Sequence, residues 1–261
     1  MKIIVCIKQV PDTTEVKLDP KTGRLIRDGV PSIINPDDKN ALEEALRIKD
    51  ENPDTTVTVV SMGPPQADVA MREALAMGAD EAILISGREF GGSDTWATSY
   101  IIATAIKKIP DYDIIFCGRQ AIDGDNAKVG RQIAEQLNIP QITYVQKLDI
   151  EGDKVIVQRQ LEDGYTVVEA KMPVLLTAIK ELNTPRYMTP KGIFEAYNKT
   201  VQVWGFNDVP VDAEKIGLKG SPTNVNRTFS PEAKGKGIML EGADKETVKT
   251  LIAKLDEKHL L

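Results

Sequence analysis

Histidine is almost missing: one of the 261 residues, His259, carries an imidazole, and it stands near the last position. A Ser/His/Asp triad, a histidine-ligated metal centre and a histidine general base in the body of the fold are therefore not expected. No catalytic side chain and no metal site is assigned. If the chain takes part in redox or transfer chemistry, a cofactor supplies the reactive atoms. Cysteine is scarce too. Cys6 and Cys117 lie in separate apolar runs, which gives neither a disulfide framework nor a ligand spacing and suits a reducing, cytoplasmic compartment. Long hydrophobic runs are absent. The first apolar stretch holds five consecutive apolar residues between Lys2 and Lys8, below the roughly 7 to 15 of a signal-peptide core. Nothing approaches the ~20 needed to cross a bilayer, so membrane insertion is not expected. Positive charge is not in excess either: 33 Lys and Arg stand against 39 Asp and Glu, a net −6 that argues against nucleic acid as the main partner. Neither the Gly-x-Gly-x-x-Gly fingerprint nor the P-loop pattern occurs.

What is present is the pattern of a globular α/β chain, with 41% hydrophobic and 28% charged residues. Apolar runs at residues 2–8, 56–60, 81–86 and 113–117 read as buried strands. Between and after them lie helical stripes: Ala41, Leu42, Ala45 and Leu46; Ala70, Met71, Ala74 and Leu75; Ile101, Ile102, Ala105 and Ile106; Val129, Ile133, Ala134 and Leu137. Asn35 reads as a helix cap, with Pro36 at the first helical position and Asp37 and Asp38 in the first turn. Continuous apolar strands joined by amphipathic helices predict a doubly wound, mostly parallel sheet covered on both faces. Beyond residue 146 the pattern changes. Residues 154–160 and 165–171 flank Glu162-Asp163-Gly164 as an antiparallel pair, and 173–179 form one further strand. From 183 onward Pro185, Pro190, Pro210, Pro222 and Pro231 punctuate a polar arm that ends in a charged helix near 243–258. The expected division is a nucleotide-binding α/β domain over 1–182 and an arm over 183–261, too poor in apolar residues for a core of its own, that lies along another surface, its own domain's or a partner's.

In open parallel sheets ligands bind outside the carboxyl ends of the strands, where the strand order reverses. That selects the loops after residues 8, 60, 86 and 117. The first is about 27 residues long, more than a compact domain ordinarily places there, with a hairpin expected around Asp19-Pro20-Lys21-Thr22-Gly23. The loop at 118–130 is the densest polar constellation. Gly118 and Gly124 permit tight turns, Asp125 or Asn126 can cap the next helix, and that helix start offers N–H groups to a phosphate or a ribose hydroxyl. A capped helix after a turn explains the same residues equally well. Asp123 and Asp125 would repel a phosphate, so accepting from ribose hydroxyls or fixing the loop suits them better. After the third run, Asp94 reads either as a plain helix cap or, with the Thr95 and Thr98 hydroxyls, as part of a pyrophosphate site. The stretch Gly91-Gly92-Ser93-Asp94-Thr95 has the look of an ATP-pyrophosphatase phosphate loop but follows the wrong strand for one.

Together these residues resemble the beta subunit of electron transfer flavoprotein. The resemblance rests on Val5-Cys6-Ile7-Lys8-Gln9-Val10, Asn35-Pro36 leading into Ala41-Leu42-Glu43-Glu44-Ala45, Met62-Gly63-Pro64, Ala74-Leu75-Ala76-Met77-Gly78-Ala79-Asp80, the loop at 118–130, and Leu182-Asn183-Thr184-Pro185-Arg186-Tyr187. It implies a heterodimer with an alpha subunit that carries a redox FAD, while this subunit holds an adenine nucleotide. The binding positions implied, with those chosen from the strand ends, are Cys6, Lys8, Asn35, Pro36, Asp37, Asp38, Met62, Asp94, Thr95, Thr98, Arg119, Gln120, Ala121, Ile122, Asp123, Gly124, Asp125, Asn126, Val129 and Gly130. In the ordinary branch of the family the nucleotide is AMP. A second branch binds FAD, which accepts hydride from NADH and bifurcates the electrons, one toward an acyl-CoA dehydrogenase through the alpha-subunit FAD and one toward ferredoxin or flavodoxin. The chain is similar to that branch in Val10-Pro11-Asp12-Thr13-Thr14, in Val30-Pro31-Ser32-Ile33-Ile34 and in Asp94-Thr95-Trp96-Ala97-Thr98. Room for the flavin ring is expected from the long first loop and from Gly87, Gly91 and Gly92. The loop after Tyr187 resembles the family's docking element for acyl-CoA dehydrogenases, with Pro190 where the family has a leucine. The resemblance also implies that the arm wraps the alpha subunit. A reading from another class is a nucleotide-binding sensor without redox chemistry, for which an extension of that length has little use.

Overall fold

A computed structural model of the chain describes residues 1–12, 31–226 and 235–261. The hairpin expected around Asp19 and the stretch with Thr13 and Thr14 lie outside the described residues. Met1–Val225 forms one compact unit and Asn226–Leu261 a second. No helix among the described residues is long and apolar enough to cross a membrane.

The first unit is an α/β sandwich. Its strands are β1 (Lys2–Cys6), β2 (Gln9–Pro11), β3 (Ser32–Ile34), β4 (Thr56–Met62), β5 (Glu81–Ile85), β6 (Ile114–Gly118), β7 (Gln141–Glu151), β8 (Lys154–Gln160), β9 (Tyr165–Lys171), β10 (Val174–Ala178) and β11 (Val201–Trp204). Its helices are α1 (Pro36–Glu51), α2 (Asp68–Met77), α3 (Thr95–Ile106), α4 (Val129–Leu137) and α5 (Pro190–Asn198). Nine strands form one sheet in the order β11-β5-β4-β1-β6-β10-β7-β8-β9, and β2 and β3 make a separate antiparallel pair. From β11 to β7 every pairing is parallel, and β8 and β9 continue the sheet antiparallel. The doubly wound, mostly parallel architecture expected from the apolar runs is the one observed.

Two apolar layers cover the sheet. Val5, Val57, Val59 and Phe116 face α1 and α2 through Leu42, Leu46, Met71 and Leu75. Ile4, Val60, Ile83 and Ile115 face α3 and α4 through Ile101, Ile106, Ile133 and Ala134. Strands buried on both faces explain the unbroken apolar runs. The chain leaves β1 toward β4 and β5 on one side and returns to β6 on the other, so strand order reverses between β1 and β6. That places the switch point at Cys6, Lys8 and Gly118.

The segment after residue 183 does not stand apart from the sheet. β11 pairs with the outer edge of β5, and Ala196 of α5 is buried against α2. Pro190, read above as punctuation, occupies the first turn of α5, where its missing N–H breaks no bond, and Thr189 caps the helix through Gly192 N. The second unit contains α6 (Lys245–Glu257), started by Asp244 accepting from Thr247 N at 2.8 Å.

Candidate functional site

The carboxyl ends of β1 and β6 are joined by side chains that begin α1. Asp38 is buried, and its carboxylate accepts from Lys8 N at 2.8 Å and from Gly118 N at 2.9 Å. Burial raises this carboxyl to about 7 against those hydrogen bonds. Gly118 is required here, since a Cβ would lie 2.7 Å from Asp38 N. Asn35 does not act as the side-chain cap that its position suggested. Instead its amide nitrogen donates to Gln120 O at 2.8 Å and its oxygen accepts from Ile122 N at 3.1 Å, so the residue clamps the loop after β6 to the start of α1.

Lys8 crosses the mouth between the two strands and donates to both oxygens of Asp123 at 2.6 and 2.8 Å. Of the two roles considered for Asp123, fixing the loop is the one its partners fill. Arg119 Nε stands 3.2 Å from Asp37 Oδ2, yet both atoms are buried without a hydrogen-bond partner among the described residues. The two charges attract, but the N–H is not aimed at the oxygen. Burial raises the Asp37 carboxyl, and Arg119 offsets part of that rise. Ala121 O accepts from Gly124 N and Asp125 N, closing a turn, and Asp125 also accepts from the Gln120 amide. A Cβ at Gly124 would meet nothing within 4 Å, so the turn faces open space.

The helix cap expected from Asp125 or Asn126 is not formed. The cap position of α4 is Lys128 and makes no side-chain bond, while Asp125 and Ala127 take positive φ of 50° and 42°. The chain is thus bent within the loop rather than at a capped helix entry. Asp94 does cap its helix, accepting from Ala97 N at 3.0 Å, and its second oxygen accepts from Thr223 N at 2.9 Å. Both oxygens are therefore used within the chain. Thr95 and Thr98 lie in the first turn of α3, and Met62 packs partly buried on the α3 and α4 layer. No hydrogen bond among the described residues links these three to the Lys8 and Asn35 network. Gly87, Gly91 and Gly92 are exposed, and a Cβ on each would meet Glu89 Oε2 at 2.9 Å, Arg88 O at 3.1 Å and Leu218 Cβ at 3.2 Å respectively.

One residue under the site was not singled out from sequence. Cys117 sits beside Cys6 on the neighbouring strand, both thiols are free and buried, and contact with Cys6 together with burial pushes the Cys117 thiol well up. Gly130 covers it, with a Cβ position 3.3 Å from Cys117 Cβ and 3.2 Å from Thr177 Cγ2. The signal available was the matching strand-end position of the two cysteines. A separate cleft of about 330 Å³ runs between the end of α2 and α5. None of its lining residues comes from the β1 and β6 ends, so it is separate from the switch point.

A doubly wound α/β protein with a polar, cation-bearing loop cluster at its switch point has the outline of a nucleotide-binding domain. The comparisons refine that class. A family model described as the electron transfer flavoprotein domain matches residues 22–209. The electron transfer flavoprotein subunit beta of Thermoanaerobacterium thermosaccharolyticum is 61% identical over 262 residues. The caffeyl-CoA reductase-Etf complex subunit CarD of Acetobacterium woodii is 58% identical over 262 residues, and the acryloyl-CoA reductase electron transfer subunit gamma of Anaerotignum propionicum 52% over 269. All three alignments cover 100% of both chains. The chain belongs to the electron transfer flavoprotein beta-subunit family.

Proposed function

We propose that this chain is the beta subunit of a heterodimeric electron transfer flavoprotein that holds FAD at the loops after β1, β4, β5 and β6, takes electrons from NADH, and serves both an acyl-CoA dehydrogenase or reductase and a ferredoxin or flavodoxin. The observation that carries this reading is that two relatives aligned over the whole chain are named as a subunit of a caffeyl-CoA reductase-Etf complex and as an electron transfer subunit of acryloyl-CoA reductase. The orphaned Arg119 Nε and Asp37 Oδ2 support it, because buried polar atoms without partners suit a site completed by a ligand. An FAD supplies hydride acceptance and one-electron transfer when bound. The chain's own contribution is binding and orientation. Arg119 offers positive charge to a pyrophosphate, Lys8 holds Asp123, Asn35 fixes the backbone of 120–122, and the open turn at Gly124 lets a ligand approach the main chain.

Purifying the complex with its alpha subunit and extracting the nucleotides tests the reading. Two FAD per heterodimer, with bleaching of the flavin absorbance by NADH, is the expected result. One FAD and one AMP overturns it in favour of an AMP-holding shuttle.

The proposed docking element for the dehydrogenase is α5 with the residues before it. Arg186 is bonded to Glu43 and Asp50, and Arg72 donates to Ala196 O and Lys199 O, which fixes the segment on α1 and α2. Tyr187, Phe194 and Tyr197 project outward at 95%, 78% and 72% exposure. An apolar patch on a rigid base suits a partner surface.

A further inference from the structure

Asp38 stands out as a charged group that the proposed binding role leaves unexplained: it is too buried to touch a ligand, yet it joins three elements that frame the site. Its two oxygens face Lys8 N at the end of β1 and Gly118 N at the end of β6, and its own backbone begins α1. The residues that contact solvent at the mouth follow directly from those two amides, Lys8 through its side chain to Asp123 and Gly118 through the next residue, Arg119. Gly118 is close enough to the first turn of α1 that no larger residue fits, so the β6 end has no slack against Asp38. The first unit has no histidine, the single one being His259 in the second unit.

We infer that Asp38 is a positioning residue of the nucleotide site: its carboxylate, by accepting from the Lys8 and Gly118 amides, sets the separation of the β1 and β6 ends, and the grip on the nucleotide weakens when it takes up a proton. This rests on the nucleotide reading given above. A carboxylate accepts two charge-assisted N–H bonds, roughly twice as strong as neutral ones, whereas the acid must point an O–H away from one amide and weaken the bond to the other. The proton is taken up near neutrality, because burial has brought the carboxyl to about 7. The charged and titratable groups that act on it are Asp37 on the same helix and the Cys117 thiol, itself in contact with Cys6, while Arg119, Lys180 and Glu181 act on Asp37; Lys8 meets Asp38 through its backbone N–H, and the uncharged Asn35 side chain bonds it as well.

The effect on folding has the opposite sign. A carboxyl raised from its ordinary value of 3.8 to about 7 in the folded state contributes stability at low pH that is lost as pH rises toward 7. A purely structural role would therefore strengthen the protein on acidification, while the positioning role loosens its ligand over the same interval. The two can be read separately.

The test uses the purified complex stripped of nucleotide and titrated with FAD, which has no ionisation of its own near neutrality, in wild type and Asp38→Asn. In wild type the FAD dissociation constant is expected to rise about tenfold from about pH 8 to about pH 6, the limit for one coupled proton. In Asp38→Asn it is expected to be raised already at the higher pH and to stay flat. A wild-type profile in the variant, a flat wild-type profile, or tighter binding on acidification each overturns the proposal. The last would mean that Asp38 is felt only as a negative charge beside the phosphates. If the variant does not fold, hydrogen exchange of the wild-type amides at Lys8 and Gly118 decides. Loss of protection on acidification, after correction for intrinsic exchange, supports the proposal and constant protection overturns it. Failure of wild type to bind either FAD or AMP at any pH fails the nucleotide reading itself.

Discussion

The loop at 118–130 and the segment at 186–198 are both tied down by side chains reaching across the fold, but they turn opposite kinds of surface to the outside. In the loop, Asn35, Asp38 and Lys8 fix the backbone, and Arg119 Nε is left without a hydrogen-bond partner among the described residues. In the segment, Arg186 and Arg72 are bonded inward and the aromatic rings of Tyr187, Phe194 and Tyr197 are turned out. Spare polar capacity over a rigid floor suits a small charged ligand, and spare apolar area over a rigid floor suits another protein. The same device of long-range polar anchoring thus serves two purposes.

Four substitutions would break or sharpen this contrast. Gly118→Ala forces a methyl group against the first turn of α1 and is expected to cost about 3 kcal/mol, with nucleotide content falling alongside thermal stability. Unchanged unfolding would mean that the loop floor is softer than its packing implies. Arg186→Met leaves the buried Glu43 carboxylate with the backbone N–H of residue 186 but without the guanidinium, an expected loss of about 2 kcal/mol because the arginine is partly solvated. Nucleotide retention should survive it, and loss of nucleotide in a folded Arg186→Met protein would erase the separation between the two regions. Asn35→Ala removes two bonds to the loop and is expected to cost about 1 to 2 kcal/mol in urea unfolding. Retention of the nucleotide on dialysis should fall by more than the stability change accounts for. Phe194→Ser should change stability by less than about 0.5 kcal/mol. Capture of a cognate acyl-CoA dehydrogenase on a sensor surface should weaken all the same, and unchanged capture would remove α5 from the docking role.

Much of this arrangement is legible in the residue pattern, and the exceptions have local causes. Strands β1, β4, β5, β6 and β10 are announced by apolar runs because both faces are buried. β7 is not, since its apolar residues Ile142, Val145, Leu148 and Ile150 follow neither a strand period nor a helix period. A positive φ of 58° at Tyr144 and a register shift after Val145 change which face the side chains take. α5 is hidden by Pro190, which breaks a helix in its interior but opens one at its first turn. At the site, the spacing of Gly118, Asp123 and Gly124 was enough to mark the loop. From the residue pattern alone Asn35 and Asp38 read as helix-start residues only, because their partners lie 30 to 87 positions away in the chain.

The central place of β1 also dictates the order in which this molecule can assemble. β1, which precedes both of its neighbours in the chain, borders β4 on one side and β6 on the other, so it cannot be fully paired until residue 118 has been made. The Lys8 to Asp123 bond spans 115 positions. Such distant closures are slow to form, because the entropy of a long loop opposes each of them. A chain that stops before β6 lacks both Gly118 and Asp123 and so has no binding mouth.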